Sequence, residues 1–259
     1  MSDEQSPAIR IKAINPNTTQ AMTENIERQA NRYTADSTQV TAVSPERGPV
    51  SIESYYDDYL AVPGLLEEVL NADDEYDAFV VACWGDPGLE ACREVTEKPV
   101  VGIAEGSMYV ANMLAATWSV ATILPRAKHF IEAAVVKTGL SDRCASVRCT
   151  DLTVVETEEA RDATFEGLLE VSRLAIDEDG AEAICLGCAG MGGLAERLEE
   201  ELPVPVVDSV GAAAVLAESL VQLGKTTSKV MTYKPPEPKA QRGYADIYQF
   251  RDDTPAADD

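Results

Sequence analysis

The stretch VVACWGDPGLEAC, residues 80–92, decides the architecture. An apolar run stops at a cysteine, a Gly/Asp/Pro turn follows, and an amphipathic segment opens at Gly88. That order reads as strand, turn, helix. Further along, AICLGCAGMGGLAERL, residues 183–198, repeats it: an apolar run ends in a cysteine, glycines follow, and then an amphipathic segment.

Outward from the first stretch, IRIKAI (9–14), TQVTAV (38–43), AFVVAC (78–83) and PVVGIA (99–104) read as strands. Helical segments start at residues 18, 55 and 88 between them. A second series follows, with WSVATI (118–123), a weaker ASVRCT (145–150), AEAICLGC (181–188) and VPVVDS (204–209). Its helices are expected near 126–138, 157–178, 191–201 and 209–223. Strands alternating with helices imply βαβ units and parallel sheets. Four strands followed by four more imply an internal duplication.

The register of the two series agrees. Cys83 precedes Gly88 by five residues, Leu89 by six and Pro99 by sixteen; Cys188 precedes Gly193 by five, Leu194 by six and Pro205 by seventeen. The expected fold class is therefore α/β, with two pseudo-symmetric lobes. Each is a mainly four-stranded parallel sheet flanked by helices, and the active site lies in the cleft between them. The first lobe is assigned residues 1–104 plus 209–259, including a C-terminal helix and tail, and the second 105–208. Ligands of open α/β sheets bind beyond the carboxyl ends of the strands, which is where both cysteines fall. Cys83 and Cys188 are thus expected to face one another across the cleft.

Composition bounds the function. With 259 residues, 45% apolar, the chain can bury a good core. A net charge of −24 disfavours nucleic acid and anionic membranes as partners. No apolar run is long enough to span a bilayer, and MSDEQSPAIR lacks the plan of a signal peptide, so a cytoplasmic location is expected. Six cysteines without a regular framework fit reduced thiols. Acidic faces such as AERLEEEL (195–202) are those of solvated helices, and their excess suggests a high-salt, halophilic cytoplasm where self-repulsion is screened.

Two facing thiols suit proton transfer. A thiolate is a competent base when its pKa is lowered, and helix starts after GDPG and AGMGG offer N–H groups and a positive dipole end for this. One thiolate removes a proton from one face of a carbon while the opposite thiol returns one to the other face, which inverts the centre. No cofactor and no metal are called for.

INPNTT (14–19), VSPERGPVSIESYYD (43–57), ACWGDPGL (82–89), VVGIAEGSM (100–108) and LGCAGM (186–191) closely resemble the hydantoin racemases, members of the aspartate/glutamate racemase superfamily that also holds allantoin racemases. The resemblance runs from about residue 9 to about 230. It implies a cofactor-independent racemase of 5-substituted hydantoins, with a small-molecule hydantoin-type substrate and commonly a homo-oligomeric assembly. The catalytic cysteines of the family fall on Cys83 and Cys188, and the cleft lining near Asn15, Asn17, Gly85, Thr122 and Ala189. Amino-acid racemases of the superfamily carry CNT and CTE after their cysteines. This chain has CWG and CAG, so the hydroxyl groups that would hold an α-carboxylate are absent there. Related decarboxylases keep only the second cysteine. The alternatives are an allantoin racemase, differing in the C5 substituent, and a non-catalytic small-molecule binding protein on the same scaffold.

Several residues receive duller readings. Trp84 caps the cleft or packs in its wall. A Cys₄ zinc cage would need Cys144 and Cys149 beside Cys185 and Cys188, at loose spacing, and buried thiols explain them better. His129 belongs to a surface helix face. Asp86, followed by Pro87 and Gly88, reads as a turn cap. The Pro-rich, charged segment beyond residue 231 reads as an extension.

Overall fold

The structure, a computed structural model, describes residues 9–150, 152 and 160–242. The first half of the chain runs β1 (Ile9–Ile14), α1 (Gln20–Tyr33), β2 (Thr38–Val43), α2 (Tyr55–Leu70), β3 (Ala78–Val81), α3 (Leu89–Val95), β4 (Val100–Gly102) and α4 (Ile103–Leu114). The second runs β5 (Trp118–Thr122), α5 (Lys128–Lys137), β6 (Cys144–Cys149), α6 (Arg161–Asp177), β7 (Ile184–Leu186), α7 (Ala195–Glu201), β8 (Val206–Val207) and α8 (Ser209–Gln222).

Two four-stranded sheets form, ordered β2-β1-β3-β4 and β6-β5-β7-β8. Every pairing is parallel. Advancing each strand number of the first sheet by four gives the second, so the duplication read from the cysteine register is also a duplication of topology. Strands β3 and β5 are buried along their whole length. Helices cover both faces, which explains why the sequence shows continuous apolar runs there instead of alternation.

Helix α8 returns to the first sheet, packing on α1, α4, β1, β3 and β4. The expected lobe boundary between residues 104 and 105 falls in the first turn of α4. Two strand ends differ from expectation for one physical reason. PVVGIA was read as strand through 104, but β4 stops at Gly102 and α4 starts at Ile103. VPVVDS was read as strand through 209, but α8 starts at Ser209, where the Asp208 side chain accepts a hydrogen bond from the Gly211 N–H. Both runs are buried on the strand side and on the helix side, so hydrophobicity carries no break at the junction. Residues 157–159 of the helix expected near 157–178 and the tail beyond 242 lie outside the described residues.

Candidate active site

Cys83 follows β3 and Cys188 follows β7, each at the carboxyl end of the third-numbered strand of its sheet. The two thiols line one cavity of about 50 Å³. Asn17, Gly85, Thr122 and Ala189 line it as well. Asn15 does not. Its side chain is fully buried, and its Nδ2 donates to Asn17 Oδ1 at 2.9 Å and to Thr23 Oγ1 at 3.0 Å. Asn15 therefore stands behind Asn17 and holds it. The Asn17 Oδ1 also accepts from the Thr19 N–H, which leaves its Nδ2, set against the Met22 sulfur at 3.3 Å, as the amide's donor on the cavity side.

Each residue is placed by its turn. The Cys83 carbonyl accepts from the Asp86 N–H at 2.9 Å, closing a tight turn after β3. Asp86 is in the left-handed region, with φ 48, which a short acidic residue tolerates. Its buried carboxyl accepts from the N–H groups of Ala104 and Glu105 at 3.0 and 2.9 Å. The expected turn cap is instead the N-terminal cap of α4, reached from eighteen residues away. Gly102 has no side chain because a Cβ there would lie 2.2 Å from the Asp86 Cγ. Glu105 makes an ion pair with Arg93.

The second half is built likewise. Thr122 at the end of β5 donates its hydroxyl to the Gly187 carbonyl at 3.0 Å, fixing the strand end that carries Cys188. Trp84 is buried in the wall, and its indole N–H donates to Ser209 Oγ at 3.0 Å, tying the Cys83 turn to the start of α8.

The wall that sequence reading missed is apolar: Ile52, Leu124, Phe130 and Ile131 line the cavity. Phe130 packs edge-on against Tyr55, ring centroids 6.0 Å apart. The amphipathic pattern of residues 126–138 was visible, but a helix face cannot be assigned to a neighbouring lobe from periodicity alone.

The electrostatics of the thiols depart from expectation. Helices α3 and α7 begin at Leu89 and Ala195, six and seven residues beyond the cysteines, not beside them. Burial pushes the Cys83 thiol up; the Gly85 N–H opposes this, and Asp58, Cys188 and Asp86 raise it further. Cys83 is half-buried at the cavity wall, and the cost of placing charge there prevails over the single N–H. Cys185 is buried, and its Sγ donates to the Ser107 carbonyl, so it points away from Cys188 and the cavity. Cys144 donates to the Ser146 carbonyl. Among the described residues no cluster of three or more His, Cys, Asp or Glu is placed to hold a metal ion. His129 is exposed and sits beside Glu132 on α5.

The Asp/Glu/hydantoin racemase family matches residues 11–217. A hydantoin racemase of Pseudomonas sp. (strain NS671) is 53% identical over 91% of this chain and 95% of its own. One from Paenarthrobacter aurescens is 45% identical over 89% of this chain and 99% of its own. The structure of an allantoin racemase from Klebsiella pneumoniae superposes with a TM-score of 0.88 at 42% identity, covering 91% of this chain and 97% of that one. Paired sheets of one topology, a shared cavity at their strand ends and similarity along nearly the whole chain agree: the chain is an isomerase of the Asp/Glu/hydantoin racemase family.

Proposed function

We propose that the protein racemises 5-substituted hydantoins, with Cys83 and Cys188 as the two proton-transfer groups. The observation that carries this reading is that equivalent strand ends of two equivalent sheets bring one thiol each to a single cavity. The C5–H of a hydantoin is flanked by a ring carbonyl and a ring nitrogen, and the electron pair left by proton removal delocalises into the carbonyl. The substrate itself supplies the electron sink that a cofactor would otherwise provide. One thiolate takes the C5 proton, the opposing thiol delivers a proton to the other face, and the enzyme is left with its two protonation states exchanged. The reverse turnover restores them.

Asn17 offers an amide donor to a ring carbonyl. Gly85, Thr122 and Ala189 allow a flat ring to approach the backbone. Ile52, Leu124, Phe130 and Ile131 surround the C5 substituent, and an apolar wall favours an apolar group there over the polar ureido group of allantoin. We place the enzyme in the cytoplasm as a homo-oligomer acting without cofactor. The exposed Met113 and Leu114 on α4, 72% and 57% accessible, support a contact between copies.

The test is loss of optical rotation from a panel of 5-substituted hydantoins and allantoin by purified protein with nothing added. Hydantoins with aliphatic or aromatic C5 groups should turn over fastest. Faster turnover of allantoin would favour the reading suggested by the Klebsiella structure, and no turnover of any member would favour a binding protein.

A further inference from the structure

Asp58, on α2, lies outside the residues that line the cavity. Its Oδ1 is buried and accepts no hydrogen bond. A Cβ added to Gly85 would lie 3.2 Å from that oxygen and 2.9 Å from the Phe130 ring, so the carboxyl is set against the open side of Gly85. The N–H of the same glycine bonds the Cys83 sulfur. Gly85 therefore lies between a carboxyl oxygen that accepts no hydrogen bond and the Cys83 thiol. A buried acceptor without a partner calls for an explanation, since folding alone gains nothing from it.

We propose that Asp58 is a positioning residue for the reaction's proton: from the far side of Gly85 its carboxylate holds the proton on Cys83, so that Cys83 enters the reaction as the thiol. The inference rests on the two-thiol reading of the site. Negative charge beside a thiol opposes its ionisation, and the half-buried turn screens such a field less than water does. The groups facing the pair are few. Cys83 meets Asp58 from α2, Asp86 from its own turn and Cys188 from the other lobe. Asp58 meets Lys137 from α5, which favours its ionised form and is itself paired with Glu90 at 2.7 Å. Burial pushes the Asp86 carboxyl up to about 8, so it is mostly protonated at neutral pH, which leaves Asp58 as the ionised carboxylate beside the Cys83 turn. Burial raises Asp58 to about 6, so it is ionised at neutral pH and its field fades in mild acid.

The consequence is directional. With Cys188 as the thiolate partner, loss of the Cys83 proton ends activity on the alkaline side, because neither group can then donate. Asp58→Asn should move the alkaline limb of the kcat/KM profile to lower pH, while the acid limb moves less. Alkylation gives a readout independent of turnover. In a Cys188→Ala background, iodoacetamide modification of Cys83, followed by peptide mass spectrometry across a pH series, should be on the order of tenfold faster with Asp58→Asn below the midpoint. Asp58→Glu should restore the slow rate, and Asp58→Ser serves as a second neutral variant if Asn impairs folding. An unchanged alkylation midpoint, or a uniform fall in kcat with the pH profile unmoved, would overturn the proposal. Either result would leave the two-thiol reading intact, because that reading fails on a different outcome: racemisation that survives replacement of Cys83 or Cys188.

Discussion

At the scale of single residues, the site depends on the absence of a side chain at position 85. Gly85 gives the thiol an N–H, gives the cavity a wall, and leaves room for the Phe130 ring and the Asp58 carboxyl. Gly85→Ala would set a methyl 2.9 Å from Phe130 Cε2 and should lower kcat/KM about ten- to a hundredfold, by displacing the turn that aims Cys83. Its thermal midpoint should move little, since a ring at a cavity wall can give way; a large loss of stability with normal kcat/KM would contradict this. Cys83→Ser and Cys188→Ser should each abolish racemisation in both directions, because inversion needs a group on both faces. Each variant keeps one thiol, so in D₂O each should exchange C5–H in one enantiomer only, and the two should choose opposite enantiomers. Near-native racemisation by either variant would exclude the two-thiol assignment. The cysteines were legible in the sequence because each ends a strand at a countable distance from its turn. Asn15 was legible only as part of NPN, and a peptide motif does not say which of its amides turns outward.

Elements join through caps that cross long stretches of chain. The α4 N-terminus is capped by Asp86 from the turn that carries Cys83, so the helix between the two sheets and the thiol turn are mechanically one piece. Asp86→Ala removes two buried acceptor contacts and should cost about 2 kcal/mol in urea denaturation. It should also reduce activity by loosening the Cys83 turn. Burial pushes the Asp86 carboxyl up to about 8 against the two N–H bonds. The folded protein thus holds this proton through a pH range in which the unfolded chain, near the ordinary value of about 4, has released it. The stabilising contribution is complete below about pH 4 and is lost as pH rises toward 8. Asp86→Asn cannot titrate, so its stability should fall less steeply than that of the native protein between these limits; parallel slopes would refute the shift. None of this was legible in VVGIAEGSM, because the signal for the helix start lies in the earlier turn. The centres of the fully buried strands β3 and β7 were legible, by contrast, since such parallel strands are written as unbroken apolar runs.

The whole molecule combines a duplicated, largely apolar interior with a surface of strongly unbalanced charge. The duplication was legible because the two copies keep their cysteines, glycines and prolines in step even where the side chains between them differ. The apolar wall of the cavity was not, because it is assembled from α5, the segment before α2 and the strand ends, which only the fold brings together. The charge was plain from composition: 45 acidic against 21 basic residues. Exposed ion pairs such as Arg32–Glu196 and Lys137–Glu90 engage some of the carboxylates, but cations are too few to meet the rest. Folding concentrates these like charges on one compact surface, while the unfolded chain spreads them apart, so repulsion subtracts from stability in dilute buffer. Screening should restore it. At about 0.1 M salt the Debye length is about 10 Å, and at about 1 M it is about 3 Å, shorter than the spacing between most surface carboxylates. The thermal midpoint should therefore rise as potassium chloride is increased from low concentration toward molar, and activity should rise with it wherever the low-salt protein is partly unfolded. Most of the gain should fall in the lower part of the range, where the Debye length shrinks fastest, which separates screening from the later, steadier effect of salt on apolar hydration. A midpoint independent of potassium chloride, or one that falls, would show that the acidic surface is not a stability liability and would remove the reason for assigning the protein to a saline cytoplasm.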